Sequence, residues 1–573
     1  MPQSHWQFAP SRRDEARALA QRLSVHPVVA HILLNRGIAD EAVAEFLDPS
    51  LASCHDACLL RDIDRAAARL ALAVEQGQKV VVYGDYDADG CCAGAIMARF
   101  LTFCETPFEY YVPRREEGYG LSLEAVIEII TQHKPKLIVT VDCGITACGE
   151  IQAALSFGVD VIVTDHHQVP EKLPTVPAVD PHRGDCGYPF KELCGAAVAY
   201  KLCRQTAALL GRELGELDHT LLELVMIGTV ADVMPLIGEN RYYTKAGLKL
   251  LGQTRSIGLR ALLEVARLDP QRLCSRDIAF GVGPRLNAAG RLETATMAYE
   301  LLVTTDRARA YELAEALDRC NRERQEIEQR TTDEAFEQVK ELSLHDTWGV
   351  VVAGSGWHEG VLGLVAGRLC RQLHRPVLAL TLNGERAKGS GRSTPAVDLY
   401  AALSACAPLF ERFGGHPRAA GLSLAKEQLP ALREQFNAAV RAQITEDDLL
   451  PVITIECAVK AAAADLRLAE ALERLAPYGE GNPSPVLEVR GLRIGEARAT
   501  RDGVHLQLRF VYDTPRGPGE LKGFWPRMGR LAERLHRGAE ATVAATLGID
   551  TWQGNRRPQL LVEDLRLEAT GHS

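Results

Sequence analysis

Apolar and polar positions alternate with different periods along this chain, and each period marks off a region. Near the N-terminus, VVAHILL and AVAEFL repeat apolar residues at helical spacing on either side of the polar NRGIAD, which predicts a small helical segment over residues 1–50. From about 79 to 235, short β-branched and aromatic runs alternate with longer amphipathic stretches. KVVVYG, FEYYV, KLIVTV and VDVIV read as strands, because β-branched residues fit a pleat covered on both faces. Cys91–Phe103, Leu123–Ile130 and Ala147–Phe157 read as the helices between them. Such alternation predicts βαβ units, hence a parallel sheet with helices on both faces. Ligands of these sheets bind just beyond the carboxyl ends of the strands.

Residues 305–344 carry one long helical pattern. Leu313, Ala316, Leu317 and Cys320 form an apolar stripe, but NRERQEIEQRT after it is almost wholly polar, as in a helix that bridges domains. A second α/β segment begins at WGVVVAG (348) and runs to about 450. From about 451, short strands (HLQLRF, ATVAATLGI, QLLVEDLRL) between Gly and Pro turns predict a small β-barrel.

A length of 573 residues exceeds what one core organises. No run of eighteen apolar residues occurs, so no membrane span is expected. The N-terminus, MPQSHWQFAPSRRDEA, lacks the apolar core of a secretion signal. Fifteen cysteines include no CxxC pair, and Cys54 and Cys58 have no partner pair at zinc-like spacing. Buried free thiols in a reducing cytoplasm are expected instead. The net charge of −10 argues against a generic nucleic-acid coat, so any grip on a polyanion must come from local cations. Val486–Ser573 supplies them, with 14 Lys/Arg against 11 Asp/Glu. There Phe510, Tyr512, Phe524, Trp525 and Trp552 interleave with Arg501, Arg509, Lys522, Arg527, Arg556 and Arg557. Aromatics beside cations hold single strands on oligonucleotide-binding barrels, at about 1–3 kcal/mol per stacked base, although some of these rings must be core.

Chemistry concentrates where the strands stop. VVVYGDYDADG places Asp85, Asp87 and Asp89 on alternate positions after an apolar run, with Gly90 opening the turn into the next helix. KLIVTV ends in Asp142, VDVIVT is followed by Asp165, His166 and His167, and LLELVMIGTVADVMPL carries Asp232 in an apolar helical run. Each aspartate alone reads equally as a cap or loop residue. Together, at consecutive strand ends, they would repel one another unless cations sat among them. Aspartate oxygens with one or two imidazoles suit a pair of Mn²⁺ or Mg²⁺ ions about 3.5–4 Å apart, an arrangement that activates water for phosphoryl hydrolysis. FGVGPRLNAAGRLE adds Arg285, Asn287 and Arg291 in a Gly/Ala-rich setting where a backbone can approach closely, and the guanidinium forks of the two arginines match phosphate oxygens. Trp357-His358-Glu359-Gly360, Lys388-Gly-Ser390-Gly-Arg392-Ser393 and Gly414-Gly415-His416 are Gly-rich clusters of the kind that form anion-binding loops.

GDYDADG, VDCG, TDHH and GTVADVMPL, in this order, resemble the four motifs of the DHH phosphoesterase superfamily. Within it the chain is similar, over nearly its whole length, to the single-strand-specific 5′→3′ exonucleases. The resemblance implies a parallel-sheet DHH catalytic domain over 51–304 and a connecting helix over 305–345. It further implies a DHH-associated α/β domain over 346–450 and an OB-type β-barrel over 451–573, entered through PYGEGNPSP. Carried over residue by residue, Asp87, Asp89, Asp142, His166 and Asp232 match the metal ligands. Asp85 and His167 stand in or beside that set, and Asp165 orients a histidine. Ser390 and Arg392 would hold a terminal phosphate with help from Arg115, His358 and His416 would contact the substrate near the scissile bond, and Gly414 and Gly415 would bind substrate beside His416.

The activity this implies is Mn²⁺- or Mg²⁺-dependent hydrolysis of single-stranded DNA from its 5′ end to mononucleotides, in repair and recombination. It also implies a cytoplasmic monomer working with a helicase and a single-strand-binding protein. Two other readings stay open: a hydrolase of short oligonucleotides or cyclic dinucleotides sharing the metal site, and a non-catalytic scaffold binding single-stranded DNA.

Overall fold

The computed structural model describes residues 4–113, 120–292, 296–515, 517–551 and 554–568. The predicted alternation forms a five-stranded parallel sheet from β1 (Val80–Gly84), β2 (Phe108–Tyr111), β3 (Leu137–Val141), β4 (Asp160–Thr164) and β5 (Ala178–Val179), in spatial order β2-β1-β3-β4-β5. Its two faces are covered separately. Val80, Val82, Leu137, Val139 and Ile162 pack under α1 (Ala88–Phe103), α2 (Gly195–Leu209) and α3 (Glu216–Ala231). Val81, Tyr83, Ile138, Val161 and Val163 face the other way, toward the helices Leu123–His133 and Cys148–Ser156.

After α4 (Gly283–Leu292) comes α5, one helix from Arg307 to Lys340. Its first half gives Ala310, Leu313, Ala314 and Leu317 to the DHH-type core, and its end gives Ala335 and Val339 to the next domain's core. The polar stretch between is partly buried: Arg324 donates to Asn321 (2.9 Å) and Glu328 (2.8 Å).

The second α/β domain is a mixed sheet. β6 (Val350–Ser355) and β7 (Val377–Asn383) are parallel, while β8 (Arg386–Arg392), β9 (Phe410–His416) and β10 (Ala419–Ala425) join antiparallel, in order β9-β10-β8-β7-β6. Helix α6 (Glu359–Leu373) covers one face and touches α4. The C-terminal region closes as a barrel of five strands, β11 (Val486–Ala499), β12 (Leu506–Thr514), β13 (Gly517–Trp525), β14 (Glu540–Asp550) and β15 (Arg557–Leu567), with β14 pairing back onto β11.

The N-terminal helices Arg13–Leu23 and Pro27–Asn35 share one apolar core with that barrel. A strand the pattern does not announce, His5–Phe8, pairs in parallel with Val452–Ile455. Among the described residues no helix is long and apolar enough to cross a membrane.

Candidate metal centre

Gly84 pairs with Val141, and Val141 with Thr164, so the residues after them leave the sheet side by side. These are Asp85, Asp142 and Asp165. Asp142 turns back in the left-handed region (φ 62°), its N–H donating to the Thr164 carbonyl (2.9 Å). Asp87 caps α1, accepting from the N–H groups of Asp89 (2.9 Å) and Gly90 (3.0 Å). The helix therefore starts at Ala88, three residues before Cys91, because the capping carboxylate satisfies its first amides. That places Asp89 in the first turn of α1, where it also accepts from Gly195 (2.6 Å) and Ala196 (3.0 Å) at the N-terminus of α2. Asp232 corrects the sequence reading of a carboxylate within an apolar helix. It sits one residue beyond α3, with its side chain 31% exposed.

His166 Nε2 lies 3.1 Å from Asp142 Oδ1, 3.7 Å from Asp232 Oδ2 and 3.9 Å from Asp89 Oδ2. Three ligand sets, Asp142/His166/His167, Asp89/His166/Asp232 and Asp85/Asp87/Asp142, each hold their donor atoms within 4.8 Å of one another. Asp165 stays outside them and fixes the histidine pair. Its Oδ1 accepts from the His166 and His167 N–H groups (2.8 and 3.2 Å) and meets His167 Nδ1 (2.8 Å), while Oδ2 accepts from Ile145 N–H (2.9 Å). Sequence reasoning missed a further support. His182 Nδ1 lies 2.7 Å from the His166 carbonyl, which can only accept, so Nδ1 carries the proton. Asp180, at the end of β5, accepts the His182 N–H (2.7 Å).

Burial, then the neighbouring carboxylates, raise the acids together: Asp85 to about 7 and Asp232 to about 8, with Asp87 and Asp142 also raised. Burial would raise Asp165 too, but the bonds from His167 and the amides hold it below the usual carboxylate range. On His167, burial is outweighed by Asp165, which pushes the pKa up to about 9. Burial lowers His166, keeping it a neutral ligand. Glycines let the acids crowd: a Cβ at Gly195 would stand 2.4 Å from Asp142 Oδ1, and one at Gly228 2.2 Å from Asp89 Oδ1. Clustered carboxylates held ready by amides, with neutral imidazole beside them, fit hard divalent cations such as Mn²⁺ and Mg²⁺.

The remaining predicted residues fall into two places. Beside the acids, Asn287 Oδ1 accepts from Ala88 N–H (2.8 Å), and a Cβ at Gly290 would stand 2.5 Å from the Tyr86 carbonyl, so α4 lies tight on the Asp85–Asp87 turn. Arg285 is bound to Asp318 of α5 (2.8 Å) and to the Gly281 carbonyl (2.7 Å). Arg115 and the side chain of Arg291 lie outside the described residues.

In the second domain, Ser390 pairs across the sheet with Gly421 and that with Gly414; Arg392 pairs with Ala419 and that with His416. These rows are two residues apart, so Ser390, Arg392, Gly414 and His416 share one face, and Gly415 sits between the rows. A cleft of about 480 Å³ opens along Ser390, Lys388, Arg412 and Gly414. Arg392, half-buried and lowered by burial, has no acidic partner among the described residues. His358 caps α6, its Nδ1 accepting from Gly360 (3.1 Å), and Trp357 is buried with Nε1 on Glu334 (2.7 Å).

In the barrel, Phe510 and Trp525 are core, while Tyr512 and Phe524 are half-buried. Trp552 lies outside the described residues. Arg509, Lys522 and Arg556 are paired with Glu520, Asp550 and Glu470.

Comparison with known proteins matches the chain to the DHH family N-terminal domain over residues 79–229, the DHHA1 domain over 346–442 and the RecJ OB domain over 455–564. It is 36% identical to the single-stranded-DNA-specific exonuclease RecJ of Bacillus subtilis, covering 98% of this chain and 70% of that protein. Against the exonuclease of the same name from Escherichia coli it is 33% identical, covering 96% and 97%. The crystal structure of RecJ from Thermus thermophilus with Mn²⁺ superposes with a TM-score of 0.84 at 31% identity, covering 99% of this chain and 80% of that one. A Mg²⁺ complex of the same RecJ gives 0.77 at 28% identity, covering 99% and 79%. With its three domains matched in order and its acids gathered at one sheet edge, this chain belongs to the RecJ family of DHH phosphoesterases.

Proposed function

We propose that the chain is a divalent-metal-dependent exonuclease that hydrolyses single-stranded DNA from its 5′ end to mononucleotides. The observation that carries this is the convergence of Asp85, Asp87, Asp89, Asp142, His166 and Asp232 at the carboxyl edge of the parallel sheet. Asp87, Asp89, Asp142, His166 and Asp232 hold two Mn²⁺ or Mg²⁺ ions, Asp85 completes the shell, and His167 brings a ring nitrogen into the cluster. Bound there, the ions supply Lewis acidity and a lowered pKa for the attacking water. Asp165 and His182 fix the histidines, and Asn287 fixes the Asp87–Asp89 turn. Ser390 and Arg392 receive the terminal phosphate with His416 on the same sheet face, and Arg115 and Arg291 serve as further cations for the strand's phosphates. In this reading residues 51–304 catalyse, 305–345 bridge, 346–450 hold the strand's end and 451–573 grip the strand behind it.

A cytoplasmic monomer acting in repair and recombination, supplied by a helicase and a single-strand-binding protein, belongs to the same reading. A hydrolase of very short substrates would need neither the bridging helix nor the barrel. A scaffold would need no preserved cluster of mutually repelling acids.

End-labelled single strands with Mn²⁺ test it. Immediate release of a 5′ label as mononucleotide, absent in Asp142→Ala, is expected. Release of the 3′ label first, or cleavage only of fragments a few nucleotides long, would overturn it.

A further inference from the structure

Two exposed apolar side chains stand on segments that meet at the end of α3. Val233 follows Asp232 directly, 64% exposed and at φ 58°. Its N–H donates to the Val230 carbonyl (3.3 Å) and that of Met234 to Thr229 (3.0 Å), the paired bonds of a Schellman ending in which the left-handed position normally holds glycine. A β-branched residue is strained there, and burial does not repay it. The second is Phe280, 73% exposed, in a π-helical turn (Ile278–Val282) that packs against the end of α3. Directly after that turn, a Cβ at Gly283 would stand 3.2 Å from the Ala231 Cβ. π turns interrupt helices at a cost and concentrate at functional sites. Arg276 lies over the Phe280 ring at 5.7 Å, so the patch pairs an aromatic face with a cation.

The surroundings give this patch a direction. On one side is Asp232. On the other, the same segments join the barrel region: Ser275 Oγ donates to the Tyr478 carbonyl, Leu236 N–H donates to the Glu480 carbonyl (2.8 Å), and Arg272 meets Thr551 at the end of β14. The segments that carry Val233, Arg276 and Phe280 therefore run from the metal centre to the barrel region. Bare apolar faces with a nearby guanidinium suit a nucleobase and its phosphate better than a protein partner, because every base offers a π-face and every link a negative charge.

We infer that Phe280 is a stacking residue for a base of the single strand between the barrel and the metal centre, with Val233 closing the platform and Arg276 meeting the backbone. This rests on the exonuclease reading above and adds a subsite to it.

The test uses the full chain with Mn²⁺ and single strands carrying one abasic nucleotide at successive positions. For the wild type, one position is expected to raise KM. Phe280→Ala should raise KM for the intact strand about tenfold and erase that positional penalty, while Phe280→Trp keeps it. Because the ring is exposed, its removal opens no cavity, and an unchanged Tm checks this. Val233→Gly should hold or raise Tm, since glycine suits the left-handed position, yet raise KM. An identical abasic profile in wild type and Phe280→Ala would overturn the inference. A wild type that degrades no strand at all would instead overturn the exonuclease reading.

Discussion

Asp85, Asp87, Asp89, Asp142 and Asp232 converge in a largely buried pocket of one domain, whereas Ser390, Arg392, Gly414 and His416 lie on one face of a sheet in the next. The first group is over-determined. Backbone amides aim the acids, glycines make room for them, and their mutual repulsion is tolerable only with cations. The second group is under-determined. Arg392 lacks an acidic partner among the described residues, and the glycine rows leave the face open to a phosphate. One region is thus a preformed site with excess negative charge, and the other a preformed site with unspent positive charge. In the proposed function a phosphodiester strand would meet cations held by the acids on one side and the Arg392 guanidinium on the other.

That contrast breaks most visibly at Arg392. Arg392→Ala should raise KM for 5′-phosphorylated strands by about 10–100-fold, the worth of a charged hydrogen-bonded contact, with little change for 5′-hydroxyl strands. Equal effects on both substrates would mean that Arg392 serves the sheet rather than the phosphate. A smaller effect is expected on the acidic side from the support behind a ligand. His182→Ala should weaken Mn²⁺ binding by about tenfold, the low end for partners that orient metal ligands. Equilibrium binding with unchanged Tm would check it, and unaltered affinity would remove His182 from the centre.

Most of the acidic site was legible because it obeys short-range rules. A β-branched run that stops at an aspartate needs no tertiary information, and Asp85, Asp142 and Asp165 stand where those runs predict. Asp180 and His182 escaped because their strand, Ala178–Val179, is two residues long and carries no period. The ion pair of Arg285 was not legible, since its partner, Asp318, lies on the bridging helix. The strand His5–Phe8 was hidden for the same reason, as its partner begins at Val452. The barrel rings were a different case. Leu506, Leu508 and Phe510 alternate inward, and Leu506 pairs with Trp525, so a period-two reading would have assigned Phe510 and Trp525 to the core.

If the buried acids exist to hold divalent cations, metal binding to this chain must be linked to protons. Without metal, burial and mutual repulsion raise Asp85 to about 7 and Asp232 to about 8, above their unfolded values. An acid raised in the folded state stabilises the fold below its unfolded pKa, and that contribution is lost as pH rises toward 8. Cations compete with those protons, so ion binding must release them. Calorimetric titration of the full chain with Mn²⁺ between pH 6 and 8 should show two ions per chain, proton release at the lower pH, and affinity rising with pH. Strand cleavage unaffected by a chelator, or Mn²⁺ affinity flat across that range, would contradict the account.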